Sequence, residues 1–399
     1  MAEPKSQLAK ATSNATGQNV NDSEVFSNVM RSMPADTANQ LPTYRAGDSF
    51  VPYGQSFVAN PKVFFSYLDT LAVKYGLVFI KNSLAQNSLS FFKRGIMPYG
   101  GKIESVVYDT IEPKLYRPDL IDGAEDPFAT NFGTVLGDTY VFNHDVESSN
   151  TITDTQDTMM FQNLTQFNNF VYGKISQLVN GIILDEYYHE KLVLAKAYAD
   201  KMITEDKATD SKDLSKKILK WTKLLRYFNR DSNAKGINQA TQISDICVIL
   251  PVRYNVDMDV NYFSNVFNSE LVQNVKVHYL EVDRFPDIWE YSTDHTVVQG
   301  DFDSNFLSRR EYKIGQVIKA GSIAKENATD AVLKVDGSKI AAVILDRDAL
   351  QLWDALPLTL STINNPRKRY VNIFANKKTQ MMFVQALNAK VIYADYNSD

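Results

Sequence analysis

Cysteine is almost absent from this sequence. A single residue, Cys247, in 399 excludes a disulfide framework and any zinc site built on cysteine. Histidine is nearly as scarce: His144, His189, His278 and His295 are too scattered to place a serine–histidine–aspartate constellation. No run approaches the roughly 18 consecutive apolar residues of a membrane span. The opening MAEPKSQLAK carries no apolar core of the kind a secretion signal needs. A basic excess is missing too. The 42 Lys and Arg against 47 Asp and Glu leave a net charge of −5, which argues against a dedicated nucleic-acid binder. What is plentiful is aromatic side chain: 22 Phe, 21 Tyr and 3 Trp. Tyr and Trp are enriched where one protein surface meets another, so the composition points to a soluble, cytoplasmic, interface-rich protein of two to three domains.

Residues 1–58 are dominated by Ser, Asn, Thr, Gln and Ala, with Pro34, Pro42 and Pro52 as punctuation and no periodic apolar face. Such a segment is expected to be an arm with no core of its own, ordered against a surface outside itself and long enough to pass its own subunit. Over 59–98, Asn60 and Pro61 supply a helix start, and Phe64, Leu68, Leu71, Ala72 and Tyr75 recur at helical spacing before Gly76. Residues 99–157 read as an extended hairpin, with one strand from Lys102 to Ile111 and another through Tyr140, Phe142 and Val146. Its polar tip is acidic, at Asp119, Asp122, Glu125 and Asp126.

The longest helical pattern follows, about 158–203, where Leu164, Phe167, Val171, Ile175, Leu178 and Ile182 draw one stripe. A second amphipathic helix places Leu214, Ile218, Trp221, Leu225 and Phe228 on one face. Its other face holds Lys212, Lys216, Lys217, Lys220, Lys223 and Arg226. From 236 to 350 the pattern is α/β. Ile246 to Leu250 is an unbroken apolar run, as in a strand covered on both faces, and Val260, Phe263, Val266 and Phe267 sit at helical spacing after it. Val275–Val282 and Ile340–Leu345 are further strands, Ala349 to Trp353 begins a helix, and the tail from 368 is rich in strand formers.

Little of this points to catalysis. The run from Gly95 to Lys102 superficially resembles a phosphate-binding loop, but Ile103 stands where a magnesium-binding Ser or Thr belongs and a strand follows instead of a helix. Glu186 and His189 form half of a di-iron motif whose other half is missing, so they read as a surface charge cluster. Cys247, amid apolar residues, reads as inert core. The acidic tip lacks the spacing of a calcium loop. No catalytic residue, cofactor or metal ligand is expected. The basic face around Lys216, Lys220 and Lys223 has three readings: a solvated face, contact with the acidic tip of another copy, or contact with a phosphate backbone.

The order of these parts resembles the major capsid proteins of tailed bacteriophages, the Hong Kong 97 fold. The likeness rests on GGKIESVVYDTIEPKLYRPDLIDGAEDPF (100–128), FNNFVYGKISQLVNGIILDEYYHEKLVLA (167–195), DICVILPVRYNVDMDVNYFSNVFN (245–268) and KIAAVILDRDALQLWD (339–354). It is most similar to the capsid proteins of small short-tailed phages (podoviruses) of Gram-positive hosts. The resemblance implies an α+β fold with an N-terminal arm at 1–58, the helical start of a peripheral domain at 59–98 and an extended loop over a neighbouring subunit at 99–157. It further implies a spine helix and second helix of the peripheral domain at 158–235, an axial domain at 236–350 and a C-terminal return to the peripheral domain at 351–399.

The function implied is a non-enzymatic major capsid protein. It would assemble as pentamers and hexamers into an icosahedral or prolate shell around double-stranded DNA. The expected partners are further copies of itself, a separate scaffolding protein, a portal protein at one vertex and packaged DNA held without sequence specificity, with no membrane. The location implied is the virion, after assembly in the bacterial host cytoplasm. An encapsulin-like compartment shell and a sugar-binding virion or surface protein are the alternatives.

Overall fold

The stretch expected to be a bare arm is helical. The computed structural model describes residues 5–45, 48–81, 87–97, 102–111, 133–141, 144–153, 163–258, 277–297, 316–324, 330–365 and 370–396. Helices α1 (Gln7–Thr16), α2 (Asp22–Ser32), the single turn α3 (Ala35–Ala38) and α4 (Val51–Ala59) precede α5 (Pro61–Lys81). Several of the polar residues that hid these helices are their caps. Ser6 accepts from the Ala9 N–H at 3.1 Å, and Glu24 accepts from the Asn21 N–H at 3.1 Å in a capping box. The few apolar residues turn to one side. Leu8, Val25 and Val29 are fully buried, and the Phe26 ring meets Tyr44, Phe50 and Tyr53 edge-on with centroids 5.0, 5.4 and 5.6 Å away. Each such burial contributes roughly 1.5–3 kcal/mol against the ordering entropy of the segment. The segment is thus held, as expected, against a surface outside itself, but it is helical and that surface includes α5 and α6 of its own chain.

The remaining helices are α6 (Leu164–Ala199), α7 (Ser211–Leu224) and α8 (Val252–Met258). The strands are β1 (Lys93–Ile96), β2 (Lys102–Tyr108), β3 (Val135–Val141), β4 (His144–Thr153), β5 (Thr204–Ala208), β6 (Ile246–Pro251), β7 (His278–Val282), β8 (Ile288–Tyr291), β9 (His295–Thr296), β10 (Val317–Ile318), β11 (Ala331–Val335), β12 (Ile340–Asp346), β13 (Leu350–Asn365), β14 (Tyr370–Phe383) and β15 (Ala389–Ala394). They form a four-stranded sheet in the order β1-β13-β14-β4 and a five-stranded sheet in the order β5-β15-β12-β6-β7, with small pairs β2-β3, β8-β11 and β9-β10.

Two cores share the 36-residue helix α6, which spans ~54 Å at 1.5 Å per residue. Asn163 caps it, accepting from the Thr165 N–H at 2.9 Å. Its first half, with Phe167, Val171, Ile175, Leu178 and Ile182, packs with α1, α2, α4 and α5 and with Ile373 and Ala375 of the four-stranded sheet. Its second half, with Leu192, Leu194, Ala195 and Ala197, lies on one face of the five-stranded sheet through Ile249, Val343, Leu345 and Val391. The other face of that sheet carries α7 and Tyr254 of α8, against Val248, Leu250, Ala342, Ile344 and Ile392.

Several expectations change here. The strand through Tyr140 and Val146 is two strands: β3 pairs with β2, whereas β4 leaves the hairpin and pairs with β14 along ten residues, from His144 to Thr153. Val146 and Ile152 are buried, and that fixes β4 on the sheet. Helix α7 belongs to the five-stranded sheet, not with the helices over the four-stranded one, because Leu214, Ile218, Trp221 and Leu225 pack there. Phe228, expected on that apolar face, is exposed. The start of a helix at Ala349–Trp353 is the start of β13, whose pairing with β14 sets its conformation. The tail divides: β13 and β14 build the four-stranded sheet, while β15 returns to the five-stranded one between β5 and β12. Val260, Phe263, Val266 and Phe267 lie outside the described residues.

Candidate assembly surfaces and a buried charged belt

Asp119, Asp122, Glu125 and Asp126 lie outside the described residues, so their meeting with a basic face is seen neither within the chain nor beyond it. Lys216, Lys220 and Lys223 project from the outer face of α7 and are exposed. Lys217 does not join them. It pairs with Asp206 at 3.1 Å and Asp213 at 3.2 Å. Burial works against the charge of Asp206, but the Trp221 indole N–H at 2.7 Å and Lys217 hold its carboxyl below the usual range. Just beyond α7, Tyr227 and Phe228 are two-thirds exposed. The β2–β3 ribbon exposes Val106, Tyr108 and Val135, with Ile111 just past it, and touches its own chain near its far end. There Asn238 donates to Asp109 at 3.0 Å through its backbone and to Thr110 at 3.1 Å through its amide. A two-stranded ribbon is marginal alone, so these apolar residues are available to a partner surface.

The second feature is internal, and the sequence reading missed it. The surface charge cluster expected at Glu186 and His189 lies inside the protein: Asp185, Glu186, Glu190 and Lys191 are all at most 4% exposed. The apolar stripe of α6 keeps its phase through this stretch, but charged residues occupy it between Ile182 and Leu194. The facing sheet changes character at the same level. Along β14, Ile373 and Ala375 belong to the first core and Met381 and Phe383 to the second. Between them stand Lys377 and Thr379, which are buried. Across the sheet, Asp354, Thr379 and His144 lie side by side in register on β13, β14 and β4. A polar belt therefore separates two apolar cores.

Within the belt, Lys377 binds Glu186 and lies 3.7 Å from Asp354, while Lys93 of β1 lies 2.9 Å from Asp354 and 3.5 Å from Glu186. Burial opposes the charge of Lys93, but Glu186 and Asp354 outweigh it and hold Lys93 above the usual lysine range. Deeper burial draws Lys377 below that range despite the same carboxylates. His144 Nε2 is 3.1 Å from Asp185, and the His144 and His189 rings are 4.4 Å apart. Glu190 accepts from the Asn87 amide at 2.9 Å. Burial and then the neighbouring Glu186 push its carboxyl pKa up to about 8.

The family model of Phi29-like phage major capsid proteins matches residues 27–393. The chain belongs to that family. Its curated relatives include the major capsid protein of Bacillus phage GA-1, 26% identical over 226 residues, or 54% of this chain and 48% of that protein. The major capsid protein of Bacillus phage B103 is 23% identical over 264 residues, or 64% and 58%. These matches span about half to three-fifths of the length of the relatives. Among solved structures, the capsid of Staphylococcus phage Andhra aligns with a TM-score of 0.59 at 17% identity, over 80% of this chain and 86% of that one. A structure of the head fiber and inner core protein gp22 of native bacteriophage P68 aligns at 0.61 and 16% identity, over 77% and 85%. At these identities the likeness shows the fold: an α+β phage capsid fold of the Hong Kong 97 type.

The features set aside above have the following places in the fold. Cys247 is buried on β6, where burial pushes its thiol up to about 12. Gly95, the first residue of the phosphate-loop look-alike, has φ +112° at a register irregularity where β1 meets β13, a conformation that favours glycine. Among the described residues, no group of His, Cys, Asp and Glu side chains is arranged to hold a metal ion. No described helix is long and apolar enough to cross a membrane. Sequence periodicity could have flagged the belt, because Glu186 and Glu190 continue the four-residue step of Leu178 and Ile182.

Proposed function

We propose that this protein is the head subunit of a short-tailed phage, assembling as pentamers and hexamers into an icosahedral or prolate shell around double-stranded DNA. The observation that carries the reading is the match to a capsid family over residues 27–393. On this reading the helices over the four-stranded sheet form the peripheral domain, and the five-stranded sheet with α7 forms the axial domain around the symmetry axes. The β2–β3 ribbon lies over a neighbouring copy, and head-to-tail contacts of this kind close into rings. No step of this function needs catalysis. A separate scaffolding protein, a portal at one vertex and DNA held without sequence specificity are the further partners. The acidic residues Asp119, Asp122, Glu125 and Asp126 of one copy meet Lys216, Lys220 and Lys223 of the next. Sedimentation velocity with negative-stain microscopy, alone and with the cognate scaffold, tests the reading. Megadalton shells or five- and six-membered rings are expected, and a chain that stays monomeric with scaffold present overturns it.

A further inference from the structure

We propose that the buried belt is a proton-operated joint between the two cores of the subunit. The geometry comes first. Two facing elements, α6 and β14, both change from apolar to polar at one level and back to apolar beyond it. Interdigitated apolar side chains do not slide past one another without opening voids, whereas polar groups exchange partners. Helix α6 and strand β14 run through both cores, so the belt is the level at which their contact can open locally while the apolar contacts on either side hold.

The charges at this level nearly balance without Glu190. Lys93 and Lys377 are two cations, and Glu186 and Asp354 are their two anions. The groups facing Glu190 are the neutral Asn87 amide, Glu186 one turn earlier on α6, and the two lysines already shared by the other carboxylates. The His144–Asp185 pair and His189 occupy the adjoining part of the belt, and Lys191 is turned to Asp283 at 2.5 Å. A proton is what neutralises Glu190. When it leaves for solvent, a third carboxylate stands in a buried site with two cations. Carboxylates four residues apart on one helix face then repel. Re-pairing of the lysines and local separation of α6 from the sheet at the belt relieve that repulsion. The belt can do this cheaply because its polar groups are not all engaged: the fully buried amide of Gln380 has no hydrogen-bond partner among the described residues.

Hydrogen exchange with mass spectrometry on the full unassembled chain tests this, and its result does not depend on whether shells form. With exchange corrected for intrinsic chemistry, wild-type peptides covering 185–191 and 374–380 should lose protection as pH rises from the ordinary carboxylate range to about 8. The loss should approach tenfold per unit below about 8 and level off above it, the midpoint of that levelling lying at about 8, while peptides at 171–182 and 340–346 keep theirs. Glu190→Gln, permanently neutral and of the same shape, should keep belt protection flat over that range. Glu186→Gln removes the nearest like charge and should move the midpoint to lower pH. Loss of protection in Glu190→Gln equal to that of wild type, an unmoved midpoint in Glu186→Gln, or a loss spread evenly over both cores would overturn the proposal.

Discussion

Glu190 is a residue whose charge burial and Glu186 oppose more strongly than the Asn87 amide, Lys377 and Lys93 favour it, and this has a thermodynamic signature separate from any motion. Its carboxyl pKa is raised to about 8 in the folded chain, chiefly by burial and secondly by Glu186. An acid raised on folding makes the native state bind the extra proton. Its stabilising contribution is therefore fully present below the ordinary carboxylate range and is lost as pH rises through about 8. Urea denaturation at a series of pH values should show wild-type stability falling across that window, with Glu190→Gln reducing the slope. A slope unchanged in the variant would assign the pH dependence to other groups. The neighbouring Lys93–Glu186–Lys377–Asp354 set follows a different rule. Buried ion pairs add little net stability, but losing one member strands another and costs about 3–5 kcal/mol. What the set contributes is register, holding β1, β13 and β14 at fixed heights against α6.

At the scale of elements, the N-terminal helices are the instructive case. Each contributes few apolar residues to the core, so no periodic face stands out in the sequence, and their Ser and Asn residues suggest disorder. The core that orders them belongs to α5, which follows directly, and to α6, which lies more than 100 residues further along the chain. Phe26 is the anchor, fully buried among Tyr44, Phe50, Tyr53 and Tyr67. Phe26→Ala should cost roughly 3–5 kcal/mol of local packing. Limited proteolysis should then cut within residues 5–45 while the five-stranded sheet remains resistant. Cleavage no faster than in wild type would show that the segment is held elsewhere.

The same logic explains which elements the sequence made plain. Helices α5 and α6 and strands β6 and β12 were legible because long amphipathic stripes or unbroken apolar runs specify them locally. The start of β13 was not, since Ala349–Trp353 is composed of residues that suit a helix and becomes strand only through its pairing with β14. Nor was the belt, because a charged residue at a core position is spelled like one on a solvated face. Only the uninterrupted phase of the α6 stripe through Glu186 and Glu190 distinguishes the two.

At the scale of the whole molecule, electrostatics between copies bears on a shell more than any single contact does. An exposed ion pair is worth only about 0.2–1 kcal/mol, and at physiological salt its field is screened within ~8 Å. In a ring, however, every subunit presents the same face, so a small term at one interface recurs around the ring and across the shell. Lys216, Lys220 and Lys223 are suited to such a term: they lie along one exposed side of α7, whereas Lys217 on the same helix is already neutralised by Asp206 and Asp213. Reversing the three to Glu removes the contact of Lys220 over the Trp221 ring, 5.1 Å from its centroid, but leaves the buried sides of Leu214, Ile218 and Trp221 in place, so the fold should be retained by circular dichroism. If these lysines face acidic residues of the next copy, the variant should need a higher protein concentration to form shells. Wild-type assembly should weaken as salt rises, and the variant should lose that dependence. Light scattering across protein and salt concentrations reads both. Assembly insensitive to the substitutions and to salt would leave α7 a solvated face and move the subunit contact to the exposed apolar residues of the β2–β3 ribbon.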